Sequence, residues 1–203
     1  VDNGAKIING SFGKSFSPNA EWVYDAIKYA ATKDVLFIHA AGNDGLNLDD
    51  PKNPNFPNDQ VNNGAEIADN VITVGALTSN YGGEMVASFS NYGVINVDVF
   101  APGAAIYSTV PNNEYEFLGG TSMAAPAVAG IAALIRSQYP DLSAPQVKKI
   151  IMQSGITTNT SVVLDGDPSK KSPFNKISKS GKMANAYNAL ILAEQVSKGK
   201  IKL

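Results

Sequence analysis

The run Val35-Leu36-Phe37-Ile38-His39-Ala40-Ala41 constrains the fold more than any other stretch of this chain. It has the length of a strand, carries no breaker, and is apolar at successive positions instead of alternate ones. A strand with one wet face alternates; a strand without alternation is buried on both faces. Before it, Ala20, Val23, Ala26, Ile27 and Ala30 recur at helical spacing up to Asp34, and Lys6 to Asn9 reads as a short strand. Strand, helix, strand in this rhythm predicts an α/β fold, a mostly parallel sheet flanked by helices.

Gly10 to Pro18 reads as a glycine- and serine-rich loop, with Ser17-Pro18 opening the first helix as capping hydroxyl and first-turn proline. Gly42-Asn43-Asp44-Gly45 begins a polar stretch to about Glu66, read as an ordered surface loop. Val71 to Val74 and Val97 to Ala101 are further strands. Ala87 to Gly93 is turn-like, and Ile106 to Val110 with Glu114 to Leu118 forms a hairpin pair. Thr121 to Ser137 is a helix apolar almost all round, a pattern expected of a central, buried element. Ser143 caps a helix from Ala144 to Ser154, which Gly155 stops, and Asn185 caps a last one running to about Ser197. The intervening residues 157–180 are polar and are expected to be mobile. Neither an internal repeat nor a second domain is visible.

Composition removes several classes of function. A net charge of −2 offers nothing to nucleic acid or an anionic membrane, and no apolar run is long enough to span a bilayer. With no cysteine, disulfides, thiolate nucleophiles and cysteine-type zinc sites are excluded. No glycine-rich phosphate loop follows any strand, which argues against a nucleotide-binding domain. The start, Val1-Asp2-Asn3-Gly4-Ala5-Lys6, has no initiator Met and no leader pattern, and Asn3-Gly4 looks like the end of a helix that is not there. This reads as a chain cut from a longer protein; a processed mature N-terminus is the alternative.

The chemistry centres on Gly119-Gly120-Thr121-Ser122-Met123-Ala124-Ala125-Pro126. Ser122 stands at the expected N-terminus of a buried helix, where unpaired N–H groups and the helix dipole would stabilise an oxyanion. Helix position alone favours a plainer reading, Thr121 or Ser122 as N-cap. An α/β-hydrolase elbow is excluded, because Ala124 breaks the G-x-S-x-G pattern and no histidine follows the serine. The one histidine, His39, lies in the apolar strand and is expected to be a strand residue beside the pocket, not a base. Asn43 follows that strand, where a carboxamide can donate into a cleft; taken alone, Asn-Asp-Gly is better explained as a turn.

Together these segments resemble the subtilisin-like serine proteases. Ala40-Ala41-Gly42-Asn43-Asp44-Gly45 is similar to that family's oxyanion-asparagine motif, and Gly120-Thr121-Ser122-Met123-Ala124-Ala125-Pro126 to its nucleophile motif. Ile8 to Gly13, Val71 to Ala76, Ala87 to Gly93 and Val99 to Gly103 resemble further segments in order. The resemblance is strong to about residue 155 and weak from Gly181 to Ala189. It implies peptide hydrolysis through an acyl-enzyme, with Ser122 as nucleophile and Asn43 and the Ser122 N–H as oxyanion donors. It also implies Ser11, Phe12 and Gly13 on one wall of the primary specificity pocket, and Ala40, Ala41 and Gly42 on the other.

By the same resemblance, residues 1–203 are the C-terminal portion of one catalytic domain. The family's catalytic Asp and His would precede them, and Asp2, Asp25 and Asp34 sit in no matching context. Ala127 replaces a non-catalytic histidine usual after the proline. The expected partners are a polypeptide substrate and the rest of the domain, with no nucleic acid or membrane. An uncovered sheet edge would promote self-association. No cofactor is required; calcium at Asp49, Asp50 and Asp59 in the loop from Asn47 is the one candidate, on family grounds. The resemblance also implies a secreted or cell-envelope bacterial protein. The competing class is a peptide-binding pseudoprotease.

Overall fold

A computed structural model describes residues 1–203. Its centre is a four-stranded sheet, β1 (Ile7–Gly10), β2 (Leu36–Ala40), β3 (Val71–Leu77) and β4 (Val99–Pro102), parallel throughout and ordered as in the sequence. The helix α1 (Ala20–Thr32) makes the first crossover. The hairpin β5 (Ile106–Val110) with β6 (Glu114–Leu118) leads into α2 (Thr121–Gln138), and α3 (Ala144–Ser154) follows. A second hairpin, β7 (Ser161–Leu164) with β8 (Asp167–Pro173), precedes the last helix, α4 (Ala186–Ser197).

The period of two along a strand sends alternate residues to opposite layers, and both layers are apolar. Leu36, Ile38 and Ala40 of β2, Ile72, Val74 and Ala76 of β3, and Val99 and Ala101 of β4 pack against α2, α3 and α4. On the other face Phe37 and Val71 meet Ile27 of α1. Farther along that face Phe100 packs with Leu77, Phe174 and Ile177. This two-sided cover is why β2 shows no polar alternation.

Four local expectations change. The first helix begins at Ala20 with Asn19 in the cap position and no side-chain cap bond, so Ser17 does not cap it. The cap position of α2 is Gly120, also without a cap bond of its own, so neither Thr121 nor Ser122 is an N-cap. Residues 157–180 are ordered: Val162, Leu164, Phe174 and Ile177 are buried in the second core, spaced too widely among Ser and Lys to be seen as a pattern. Finally, α2 is not enclosed. Ala124, Ala125, Val128, Ala132 and Ile135 are buried, whereas Ala127, Gly130, Ala133 and Leu134 face outward. The sheet edges are likewise unequal. The outer edge of β4 is covered by residues 182–184, which pair with Phe100; β1 ends the sheet, with only β2 beside it.

Candidate active site

The strands β1 and β2 end side by side, register Gly10 against His39, so the segments after them, Ser11–Ser15 and Ala41–Asp44, diverge as two walls. A cleft of about 290 Å³ lies between, with Ser122 at its wall. Gly42 has φ +98°, a left-handed conformation that a side chain disfavours. It turns the chain so that Asn43 reaches the start of α2.

There the Asn43 carboxamide does what no local cap does. Its Oδ1 accepts from the Thr121 N–H at 2.8 Å and from the Thr121 hydroxyl at 2.9 Å. The Thr121 hydroxyl oxygen in turn accepts from the Gly42 N–H at 3.0 Å. With Oδ1 fixed, Nδ2 is left as a free donor. It lies 3.4 Å, and the Ser122 N 3.6 Å, from the point that a Cβ on Gly120 would occupy. Two N–H donors therefore flank one point, at the positive end of the 18-residue helix α2. Asn91 fixes the same loop: its Oδ1 accepts from the N–H groups of Asp44 and Leu46 at 3.1 and 2.9 Å, and its Nδ2 donates to the Ala41 carbonyl at 2.9 Å.

Ser122 and Ser11 are cross-linked. The Ser122 hydroxyl donates to the Ser11 carbonyl at 3.2 Å, and the Ser11 hydroxyl to the Ser122 carbonyl at 2.8 Å. This holds the segment after β1 against Ser122. The Ser122 Oγ has no ionisable partner. His39 is fully buried, and its Nε2 lies 2.9 Å from the Phe12 carbonyl oxygen. Since a carbonyl only accepts, Nε2 carries the proton and Nδ1 is the bare, unpartnered nitrogen. Burial pulls the imidazole down to about 4, against the opposing pull of the Phe12 carbonyl. It is a neutral structural donor that supports the first wall, not a base.

The loop carboxylates diverge. Asp49 accepts from the N–H groups of Val94 (2.7 Å) and Asn96 (3.0 Å), and Asp50 from that of Lys52 at 3.0 Å. Asp59 is buried 4.0 Å from the Lys148 ammonium, which also holds Glu66 at 2.5 Å and Asp69 at 3.6 Å. Burial and the neighbouring Asp98 carboxylate push Asp59 up to about 7 despite Lys148.

Sequence reasoning missed Thr121, Asn91, Lys14 and Asn55 as parts of the site. Thr121 and Asn91 lie in segments that the resemblance covers, but their partners are 79 and 50 residues away. Asn55 was hidden in a loop read only for carboxylates.

The scaffold is a parallel α/β sheet with a serine in the first turn of a helix beside the strand ends. Structures of the same shape include a protease from Pseudoalteromonas arctica, TM-score 0.73 at 27% identity, covering 95% of this chain and 52% of that one. The prenylagaramide maturation protease PagA gives 0.68 at 28% identity, covering 95% and 63%. The subtilase family model matches residues 1–182, so the chain belongs to the subtilases, peptidase family S8. Among curated relatives, subtilisin DY of Bacillus licheniformis is 41% identical over 148 residues, 73% of this chain and 48% of that protein. Thermitase of Thermoactinomyces vulgaris is 39% identical over 138 residues, 68% and 43% respectively. The chain thus spans about half the length of the relatives it matches.

Proposed function

We propose that this chain carries the nucleophile and oxyanion half of a serine endopeptidase site. The supporting observation is the Asn43 carboxamide, pinned through Oδ1 at the N-terminus of α2 with Nδ2 free beside the Ser122 N–H. Ser122 Oγ adds to the carbonyl carbon of a peptide bond, and the oxygen of the tetrahedral adduct takes hydrogen bonds from Asn43 Nδ2 and the Ser122 N–H. Collapse releases the amine and leaves the acyl group on Ser122; water then frees the acid. Ser11–Gly13 and Ala40–Gly42 hold the substrate as an added strand, backbone to backbone.

The proton leaving Ser122 Oγ needs an acceptor, and residues 1–203 place none there. We assign the base, and the group that orients it, to polypeptide outside these residues. The same polypeptide would cover the open face of α2 and pair with the free edge of β1. In subtilisin itself, removing the histidine costs about 10⁶ in kcat and leaves roughly 10³–10⁴ over water. Residues 1–203 alone should hydrolyse peptides no faster than that residual. Alone, the chain should also self-associate through the uncovered surface, and a strictly monomeric sedimentation profile across concentrations would count against that cover. Secretion belongs to the same proposal; no helix is long and apolar enough to cross a membrane.

Intact mass after fluorophosphonate treatment tests the reading, on the chain and on the natural full-length protein, each beside Ser122→Ala. One adduct on the full-length protein, absent from the alanine variant, supports it. A folded full-length protein that takes no adduct overturns it. The cleft would then be that of a peptide-binding pseudoprotease, with Ser122 serving only its cross-link to Ser11.

A further inference from the structure

We propose that Asn55 sets the substrate preference of this cleft. It selects, at the residue preceding the scissile bond, a short uncharged side chain that donates a hydrogen bond, with asparagine the best fit. The inference rests on the protease reading of Ser122.

Asn55 belongs to the loop between β2 and β3, not to either wall, yet it lines the cleft. Its position is fixed twice. The next residue, Phe56, exchanges backbone hydrogen bonds with Lys14 on the first wall, at 2.9 and 3.1 Å. Its own Nδ2 donates to the Ala41 carbonyl on the second wall at 2.9 Å. The amide plane is therefore oriented, and its Oδ1 takes no hydrogen bond from the protein. That oxygen stands 3.1 Å from where a Cβ on Gly13 would be and 3.7 Å from where one on Gly42 would be. It occupies the gap between the walls at the level where neither wall carries a side chain.

Two consequences follow. The amide fills space that a deep pocket for an aromatic ring would need. It also presents an acceptor of fixed direction, one N–H of the amide being held by the Ala41 carbonyl. A side chain that enters without an N–H or O–H strips water from Oδ1 and returns nothing, which is the arrangement that discriminates most sharply between isosteres. Charge adds little selection, because Lys14 and Asp44 both line the cleft with opposite signs.

The test is fluorescence anisotropy of three N-terminally labelled peptide acids, Ala-Ala-Pro-Asn, Ala-Ala-Pro-Leu and Ala-Ala-Pro-Phe, whose terminal carboxylate stands where the acyl group would. The protein is the natural full-length protein, with Asn55→Gly beside it. We expect the asparagine peptide to bind at least about fivefold more tightly than its near-isostere with leucine, and Asn55→Gly to erase that ratio while the phenylalanine peptide gains. Leucine or phenylalanine binding as well as asparagine in the unaltered protein overturns the proposal, whether or not the variant folds. Such a reversed or flat order leaves the protease reading standing. Failure of all three peptides to bind overturns the peptide-cleft reading and this proposal with it.

Discussion

Two buried groups should pull the stability of this protein in opposite directions across the same pH range. His39 is held neutral, its pKa lowered from 6.5 to about 4 by burial. The unfolded chain therefore binds a proton between those values that the folded one refuses, and the stabilising contribution present above pH 6.5 is lost as pH falls toward 4. A shift of that size corresponds to about 3 kcal/mol, of which about 2.5 kcal/mol is gone by pH 4.5. Asp59 works the other way. Its pKa is raised from 3.8 to about 7, so its contribution is complete below pH 3.8 and is lost as pH rises through 7. His39→Gln keeps a neutral donor for the Phe12 carbonyl and removes the titration. Urea unfolding at pH 7 and pH 4.5 should show the variant losing about 2.5 kcal/mol less than the unaltered chain over that interval, about 1 M in midpoint. Identical pH slopes for the two proteins would show that the imidazole titrates normally in the fold, and the buried-donor account of His39 would be wrong.

Asp59→Asn should leave stability unchanged near pH 3.5 and raise it at pH 8, where an ionised Asp59 sits beside Asp98; urea titrations at the two values check the sign. Asn43→Asp keeps an oxygen for the Thr121 N–H but loses the free N–H donor. Unfolding free energy should move by less than about 0.5 kcal/mol, while fluorophosphonate labelling of the full-length protein falls about 10²–10³-fold, the range known for subtilisin's own oxyanion asparagine. Gly75→Ala drives a methyl into the ring of fully buried Phe100. Overpacking should cost about 1–3 kcal/mol, and a Phe100→Leu background should return part of it in a double-mutant cycle.

The strands of the central sheet were legible because burial on both faces leaves an uninterrupted apolar run, and few other structures produce one. Helix starts were less legible. Ser17-Pro18 has the right chemistry for a cap, but the chain spends Pro18 and Asn19 in a turn and begins α1 at Ala20. The hairpin of β7 and β8 was invisible for a different reason. Its outward positions are Ser, Lys and Asp, and its few inward ones, Val162 and Leu164, are answered by Phe174 and Ile177 only in three dimensions. The open face of α2 could not be read either: an all-apolar helix predicts enclosure, whereas Ala127, Gly130, Ala133 and Leu134 face outward in the fold.

The site shows why a motif can be recognised before it can be explained. Asn43 in isolation reads as a turn residue, since Asn-Asp-Gly is good turn chemistry. Only the fold shows that α2 has no cap of its own and that a residue 78 positions upstream of Thr121 provides one. An aspartate could cap the helix but would bring no donor; a carboxamide caps with its oxygen and retains an N–H pair. The residue that completes the helix start is thus the residue that equips it for an anion. Stability and chemistry are coupled through a single amide plane, held by Thr121 on one side and by the Asn91-braced loop on the other. The Asn43 carboxamide is thus placed by hydrogen bonds formed wholly within residues 1–203.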